Sequence, residues 1–232
     1  QKVIDFDSYP FPARHLLPNK KYHSIISQRK NFTIMVTSRG CPYKCLFCGI
    51  AKLAYSERSP ANVVDEIEQC YREYDIREID FFDAVFFLNK DRSLEIFRQL
   101  IKRKIRIEWS CRSRVDVVNE ELLKMASIAG CRQIYYGIET ADPEILKNIN
   151  KIVSLEQTKW AIKLSRKYGI KTLGFFMIGN PGETKDTVKK TINLMRQLNL
   201  DFVQVCMTVA KPSTNLEEVV KAETGKDYWR EY

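Results

Sequence analysis

Three cysteines stand within eight residues in the stretch Gly40-Cys41-Pro42-Tyr43-Lys44-Cys45-Leu46-Phe47-Cys48-Gly49. The spacing Cys-x3-Cys-x2-Cys lets one short loop turn three thiolates toward a single point. Three protein ligands are an incomplete set for a structural zinc, which takes four. They suit an iron–sulfur cluster, whose usual ligand is thiolate. On a four-iron cluster they leave one iron free for a substrate. The plainer alternatives are a zinc knuckle, or thiols that only pack. An aromatic residue, Phe47, precedes the third cysteine, and glycines flank the loop.

The elements around this loop alternate regularly. Phe32 to Thr37 reads as a strand by length and β-branching, and it runs directly into the cysteines. Ser59 with Pro60 then starts a helix whose apolar face is Val63, Val64, Ile67, Cys70, Tyr71 and Tyr74. Further strands are expected at Glu78 to Asp83, Ile105 to Ser110, Gln133 to Gly137, Lys171 to Ile178 and Phe202 to Thr208. Helices fall between them, with Asn119 as one cap, a Ser154/Gln157 capping box at another, and a last helix from near Asn215. Six strand–helix units in register predict an α/β fold with parallel strands, a partial (β/α)6 TIM-like barrel. A full eight-unit barrel needs about 250 residues, more than this chain has. Residues 1–31 hold little periodicity and read as an N-terminal linker or extension; residues 32–232 read as the core domain.

In parallel α/β barrels the site collects at the C-terminal ends of the strands. The residues expected there are the cysteine loop, Asp83, Ser110 with Arg112 and Arg114, Glu139 with Thr140, Gly179 with Asn180, and Thr208 with Lys211. His15 and His23 lie in the N-terminal segment without metal-ligand neighbours, so both are expected to be structural or exposed.

Composition narrows the class. The chain is 44% hydrophobic and 29% charged, which excludes a disordered chain. Seven cysteines, three of them clustered, speak against a secreted disulfide framework. Cys70, Cys131 and Cys206 are expected to pack in the core; Cys111 is left open. No apolar run reaches membrane-spanning length, and the start Gln1-Lys2-Val3-Ile4-Asp5 lacks a leader pattern, so a cytoplasmic protein, or a piece of one, is expected. The net charge of +9 keeps nucleic acid among the conceivable partners, but the basic residues are spread along the chain. They read as a solvated surface with a mild positive field.

The cysteine stretch resembles the Cys-x3-Cys-x-aromatic-Cys motif of the radical S-adenosylmethionine (radical SAM) superfamily. That resemblance implies a [4Fe-4S] cluster on Cys41, Cys45 and Cys48, with SAM chelating the free iron. It also implies reductive cleavage to methionine and a 5′-deoxyadenosyl radical, and an electron donor such as flavodoxin or ferredoxin. Tyr136-Gly137-Ile138-Glu139-Thr140 is similar to the family's Gly-Ile-Glu-Ser segment, so Glu139 is expected at the SAM ribose or amino group. Gly174 to Glu183 resembles the fifth-strand motif that lines the adenine, which points to Ile178 and Gly179, with Phe47 opposite. Phe82-Asp83-Ala84 occupies the place of the second-strand motif, whose backbone oxygens bind the methionyl amino group. Arg114 matches an Arg that commonly follows the third strand, and is expected at the methionyl carboxylate.

Asp5-Phe6-Asp7-Ser8-Tyr9-Pro10-Phe11-Pro12-Ala13-Arg14 resembles the segment that joins a cobalamin-binding domain to the barrel in the cobalamin-dependent branch. Lys211-Pro212-Ser213-Thr214-Asn215-Leu216 is similar to that branch's Pro-Gly-Thr-Glu-Leu. The expectation is the catalytic core of a methyltransferase or rearrangement enzyme acting on a small molecule, with cobalamin held by an upstream domain. The competing readings are another radical SAM branch, such as an RNA methylthiotransferase, and a non-catalytic zinc or iron–sulfur protein. The lack of a second cysteine cluster weighs against methylthiotransferases.

Overall fold

A computed structural model describes residues 5–227, 229 and 230; the start of the chain, read above for a leader pattern, lies at residues 1–4 outside the described residues. In chain order the strands and helices are β1 (Phe32–Met35), β2 (Ser38–Arg39), β3 (Ser56–Glu57), α1 (Pro60–Glu73), β4 (Glu78–Phe81), α2 (Lys90–Lys102), β5 (Glu108–Ser113), α3 (Glu120–Ile128), β6 (Cys131–Glu139), α4 (Pro143–Asn148), α5 (Leu155–Lys167), β7 (Lys171–Ile178), α6 (Lys185–Gln197), β8 (Phe202–Met207) and α7 (Asn215–Thr224). Six strands form one sheet in the order β1-β4-β5-β6-β7-β8. Every neighbouring pair is parallel. Sheet order follows chain order, as a strand–helix repeat with one hand of crossover produces. The expected α/β architecture of six parallel strands is present, with β1 and β8 as its open edges.

The helix starts follow the local chemistry. The Ser59 side chain accepts from Asn62 N with Pro60 in the first turn, Asn119 accepts from Leu122 N, and both halves of the Ser154/Gln157 capping box form. Such caps each contribute about 1 kcal/mol.

The two faces of the sheet differ. Register places Met35, Phe81, Cys111, Ile134 and Thr172 in one row on the helix side, all buried. Behind that row the rings of Phe81, Phe86, Phe97 and Trp109 pack together, with centroids 4.7 Å apart for Phe81–Phe86 and 5.4 Å for Phe97–Trp109. Losing one such ring costs about 3–5 kcal/mol. The other face carries Asp80, Ser110, Arg112, Tyr135, Phe175 and Gln204, and forms the polar lining of the barrel.

Strands β1 and β4 each end two residues short of expectation, at Met35 and Phe81, and three further expectations change. The third sheet strand runs Glu108–Ser113, not from Ile105. Ile105 N still bonds back to Leu100 O, and Lys104 is left-handed with φ 57°, so the chain is still leaving α2 there. Ser110 and Arg112 therefore lie within the strand, and Cys111 is a fully buried core thiol rather than a strand-end residue. Second, β6 is longer than expected at both ends. Third, Cys206 is exposed. It sits on edge strand β8, every residue of which is exposed, so the core-packing expectation fails for it and holds for Cys70 and Cys131.

Residues 5–31 lie against the domain through Arg14, which is buried. Arg14 pairs with the buried Glu66 of α1 at 2.5 Å and donates to Ile34 O at 3.3 Å, and Arg58 grips the same carboxylate. His15 and His23 are exposed.

Candidate active site

The cysteine loop leaves β1 at the C-terminal edge of the sheet and returns through the antiparallel pair β2–β3. Gly40 begins it with φ 77°, and a Cβ there would stand 2.3 Å from the Ala54 carbonyl oxygen, so only glycine fits. The loop is stapled to distant elements. Leu46 N donates to Ile149 O at 2.9 Å, Asn150 Nδ2 to Lys44 O at 2.7 Å, and Leu216 N to Leu46 O at 2.9 Å. Cys45 is buried while Cys41 and Cys48 are half-buried, and all three are free thiols. Burial pushes the Cys41 and Cys45 thiols up; the nearby Arg114 and Lys151 cations pull them back. Among the described residues no group of three or more His, Cys, Asp or Glu is placed to hold one metal ion. A four-iron cube gives each thiolate its own iron, so the three sulfurs need not converge as tightly as a single-ion site demands.

Asp83 is fully buried beneath the loop. Its carboxylate accepts from Thr37 N at 2.6 Å, from Ser38 N at 3.0 Å and from the Thr37 hydroxyl. Burial raises its pKa against the pull of those bonds. The side chain is thus a clamp on the segment that launches the cysteines, and has no face left for a ligand. Only its backbone remains available for the amino-group contact expected of this motif.

Two buried cations flank the loop. Arg114 gives Nε and Nη2 to Asp116, both at 2.8 Å, lies 3.7 Å over the Tyr43 ring, and holds Nη1 4.0 Å from Cys45 Sγ. Its fork, expected for a methionyl carboxylate, is already occupied by Asp116. No sequence signal marks Lys151, which stands just past the short helix α4. It is buried, with Nζ 2.6 Å from Glu139 Oε1. Glu139 has φ 69°, rare for a residue with a side chain, and follows a register shift between β6 and β7. Such strain persists where surroundings hold it, often at functional sites.

Phe47 and Glu139 meet at one cavity of about 340 Å³, together with Phe175, Met177, Gln204 and Lys211. Ile178 and Gly179 do not join them. They line a neighbouring cleft of about 470 Å³ against α6, with Asn180, Glu183 and Val188. Alternation along β7 explains the split: Phe175 and Met177 face the barrel, so Ile178 faces out. Gly179 N and Asn180 N donate to the Glu183 carboxylate. Arg112 is not at the rim. It pairs with Asp80 at 2.8 Å and lies 3.6 Å over Phe82 on the inner face.

A six-stranded parallel sheet carrying a triple-cysteine loop at its C-terminal edge defines a class of cluster-bearing α/β enzymes. The radical SAM superfamily model matches residues 35–195, well over half of the chain, and the chain belongs to that superfamily. It is similar to an uncharacterised methyltransferase of Pyrococcus horikoshii, 36% identical over 99% of this chain and 50% of that protein. It is also similar to an anaerobic magnesium-protoporphyrin IX monomethyl ester cyclase of Rubrivivax gelatinosus, 32% identical over 82% of this chain and 35% of that one. The chain thus spans half or less of these relatives. Among solved structures, the radical SAM methyltransferase TsrM of Kitasatospora setae, with cobalamin and a [4Fe-4S] cluster bound, superposes with TM-score 0.77 at 23% identity, covering 83% of this chain and 37% of that one. Among the described residues no helix is long and apolar enough to cross a membrane.

Proposed function

We propose that Cys41, Cys45 and Cys48 hold a [4Fe-4S] cluster and that this barrel is the SAM-cleaving core of a cobalamin-associated methyltransferase or rearrangement enzyme. The observation that carries the reading is the loop itself. Three free cysteines are fixed to the barrel by backbone bonds from Ile149 and Leu216, beside a cavity that Phe47 and Glu139 share. When bound there, the cluster and SAM would supply the chemistry of reductive SAM cleavage.

The chain's own residues prepare the site for that chemistry. Glu139 pairs with the adjacent Lys151 Nζ and offers acceptors to ribose hydroxyls. Phe47 and Met177 supply the apolar walls for adenine. Ile178 and Gly179 act from the neighbouring cleft, where the Glu183 carboxylate holds the β7–α6 turn. Asp83 sets the height of the loop through Thr37 and Ser38. Arg114, locked by Asp116, presents Nη1 to the Cys45 sulfur and brings positive charge to the cluster side of the site.

The Asp5–Arg14 segment supports the cobalamin-associated branch, and the likeness to a methyltransferase supports methyl transfer; the reading goes with a corrin held outside this barrel, a small-molecule substrate, a flavodoxin- or ferredoxin-like donor and a cytoplasmic setting. The test is anaerobic reconstitution followed by dithionite and SAM. Cluster absorbance and slow release of 5′-deoxyadenosine are expected. A zinc-binding, colourless protein that leaves SAM intact would end this reading.

A further inference from the structure

A further cavity lies at the other end of the barrel. It has a volume of about 720 Å³ and lies at the N-terminal ends of the strands. Its lining carries five cationic side chains, Arg29, Arg77, Lys104, Arg106 and Arg132, against one carboxylate, Glu108. These cations come from four separate stretches of the chain, so no basic tract marks them in the sequence.

The charges are arranged, not merely near one another. Glu108 accepts from Arg29 Nε and Nη2, both at 2.9 Å, and stands 3.6 Å from Arg132 Nε, so one carboxylate orients two guanidinium groups. Arg77 leans on Asp75 and lies 4.4 Å over the Tyr71 ring. The side chains of Lys104 and Arg106 are exposed and make no hydrogen bond or ion pair among the described residues. The floor between them is apolar, built from Ile101, Ile107 and Ile128, with Ile101 and Ile128 exposed. Gly130 lets the chain pass close against Ile107 there: a Cβ would stand 2.0 Å from the Ile107 carbonyl oxygen.

A concave site with an apolar floor and a cationic rim fits a small molecule that is apolar at one end and multiply anionic at the other. Its volume falls in the range of small-ligand sites, about 300–1,000 Å³. No aromatic ring lines it, so the stacking platform that single-stranded nucleic acid uses is missing. We propose that this cavity binds a phosphorylated small molecule of nucleotide size, with its phosphates on Lys104, Arg106 and the guanidinium groups and its ring on the isoleucines. This is a second site, separate from the cysteine loop, and does not depend on the reading of that loop.

The experiment is calorimetric titration of the full chain with ATP, inorganic pyrophosphate and adenosine at low ionic strength. Saturable one-site binding of ATP with Kd below about 1 mM is expected, with pyrophosphate weaker and adenosine weaker still. The Lys104→Glu/Arg106→Glu double variant should bind ATP at least about tenfold more weakly, since each lost charge-assisted contact is a tenfold-scale effect. Both positions are exposed, and circular dichroism should show an unchanged fold. No ATP binding, or binding that the double variant leaves unchanged, overturns the proposal. Equal affinity for ATP and pyrophosphate overturns the nucleotide-like assignment, because the floor would then contribute nothing. Iron content and 5′-deoxyadenosine release in the same double variant report separately on the cysteine site, and should match the parent chain.

Discussion

At the cysteine end of the barrel each buried cation has its own carboxylate, Arg114 with Asp116 and Lys151 with Glu139. At the opposite end Glu108 is the one carboxylate lining a cavity with five cations: it meets Arg29 and Arg132, while Arg77 turns to Asp75 and Lys104 and Arg106 face water. The contrast follows from solvation. A buried charge without a partner is too costly to keep, so pairing there is one to one. An exposed charge needs no partner, so an excess can accumulate. The upper site therefore acts through short, fixed, weakly screened contacts, and the lower through a field that salt weakens. Strand β5, six residues long, separates the two ends by about 20 Å at about 3.3 Å per residue, beyond the screening length of about 8–10 Å. Changes at one end should leave the other untouched.

The largest effect should come from the cysteines. Cys41→Ala, Cys45→Ala or Cys48→Ala should each remove most of the iron bound after anaerobic reconstitution, measured as iron per chain. Retention of four irons by Cys41→Ala would take that residue out of the cluster.

Next comes the buried pair. Glu139→Ala strands the Lys151 ammonium and should cost about 3–5 kcal/mol in chemical denaturation of the apo-protein. Glu139→Gln with Lys151→Met should recover most of that loss. In both variants SAM affinity should fall roughly ten- to a hundredfold. Stability equal to the parent in Glu139→Ala would mean that the pair is solvated and the two ends are not so different after all.

A smaller effect is expected from Asp116→Asn, which keeps the shape but frees the Arg114 fork. The loss should be about 1.5–3 kcal/mol, as for a hydrogen bond to a charged group. Iron should still bind, but leave faster to a chelator; an unchanged release rate would separate Arg114 from the cluster.

The smallest effect belongs to the lower end. Pairing with Arg29 holds the Glu108 carboxyl below its usual range. Its contribution to stability is therefore present above the unfolded-state pKa and is lost as pH falls through the folded one. Glu108→Gln should flatten the acid side of a melting-temperature profile slightly and change nothing near neutrality beyond the modest value of an exposed pair, about 0.2–1 kcal/mol. A large loss at neutral pH would place Glu108 among the buried, one-to-one charges instead.

Much of this was legible in advance, and for local reasons. Strand–helix alternation, the Ser59, Asn119 and Ser154 caps and the β7 limits all follow from periodicity and side-chain chemistry within a few residues. The cysteine loop is legible because its three cysteines lie within eight residues of sequence. Where neighbours along the chain did not decide, expectations slipped. The third sheet strand moved three residues because the exit from α2 was longer than its pattern showed. Cys206 was read as core from a strand-like run, but β8 is an edge, and an edge is a property of the sheet. Ile178 is expected at the adenine by motif, whereas its place in the fold puts it in the neighbouring cleft against α6.

By itself, then, the sequence determined the six-unit α/β frame, the superfamily and the three cysteines, because each rests on short-range spacing. Tertiary structure alone decided that Asp83 became a clamp, that Asp116 occupied Arg114 and that Lys151 came to lie buried on Glu139. It also gathered five scattered cations around one cavity. Which charges meet, and how much water they keep, depends on residues far apart in the chain, and electrostatic strength depends on that water more than on residue type.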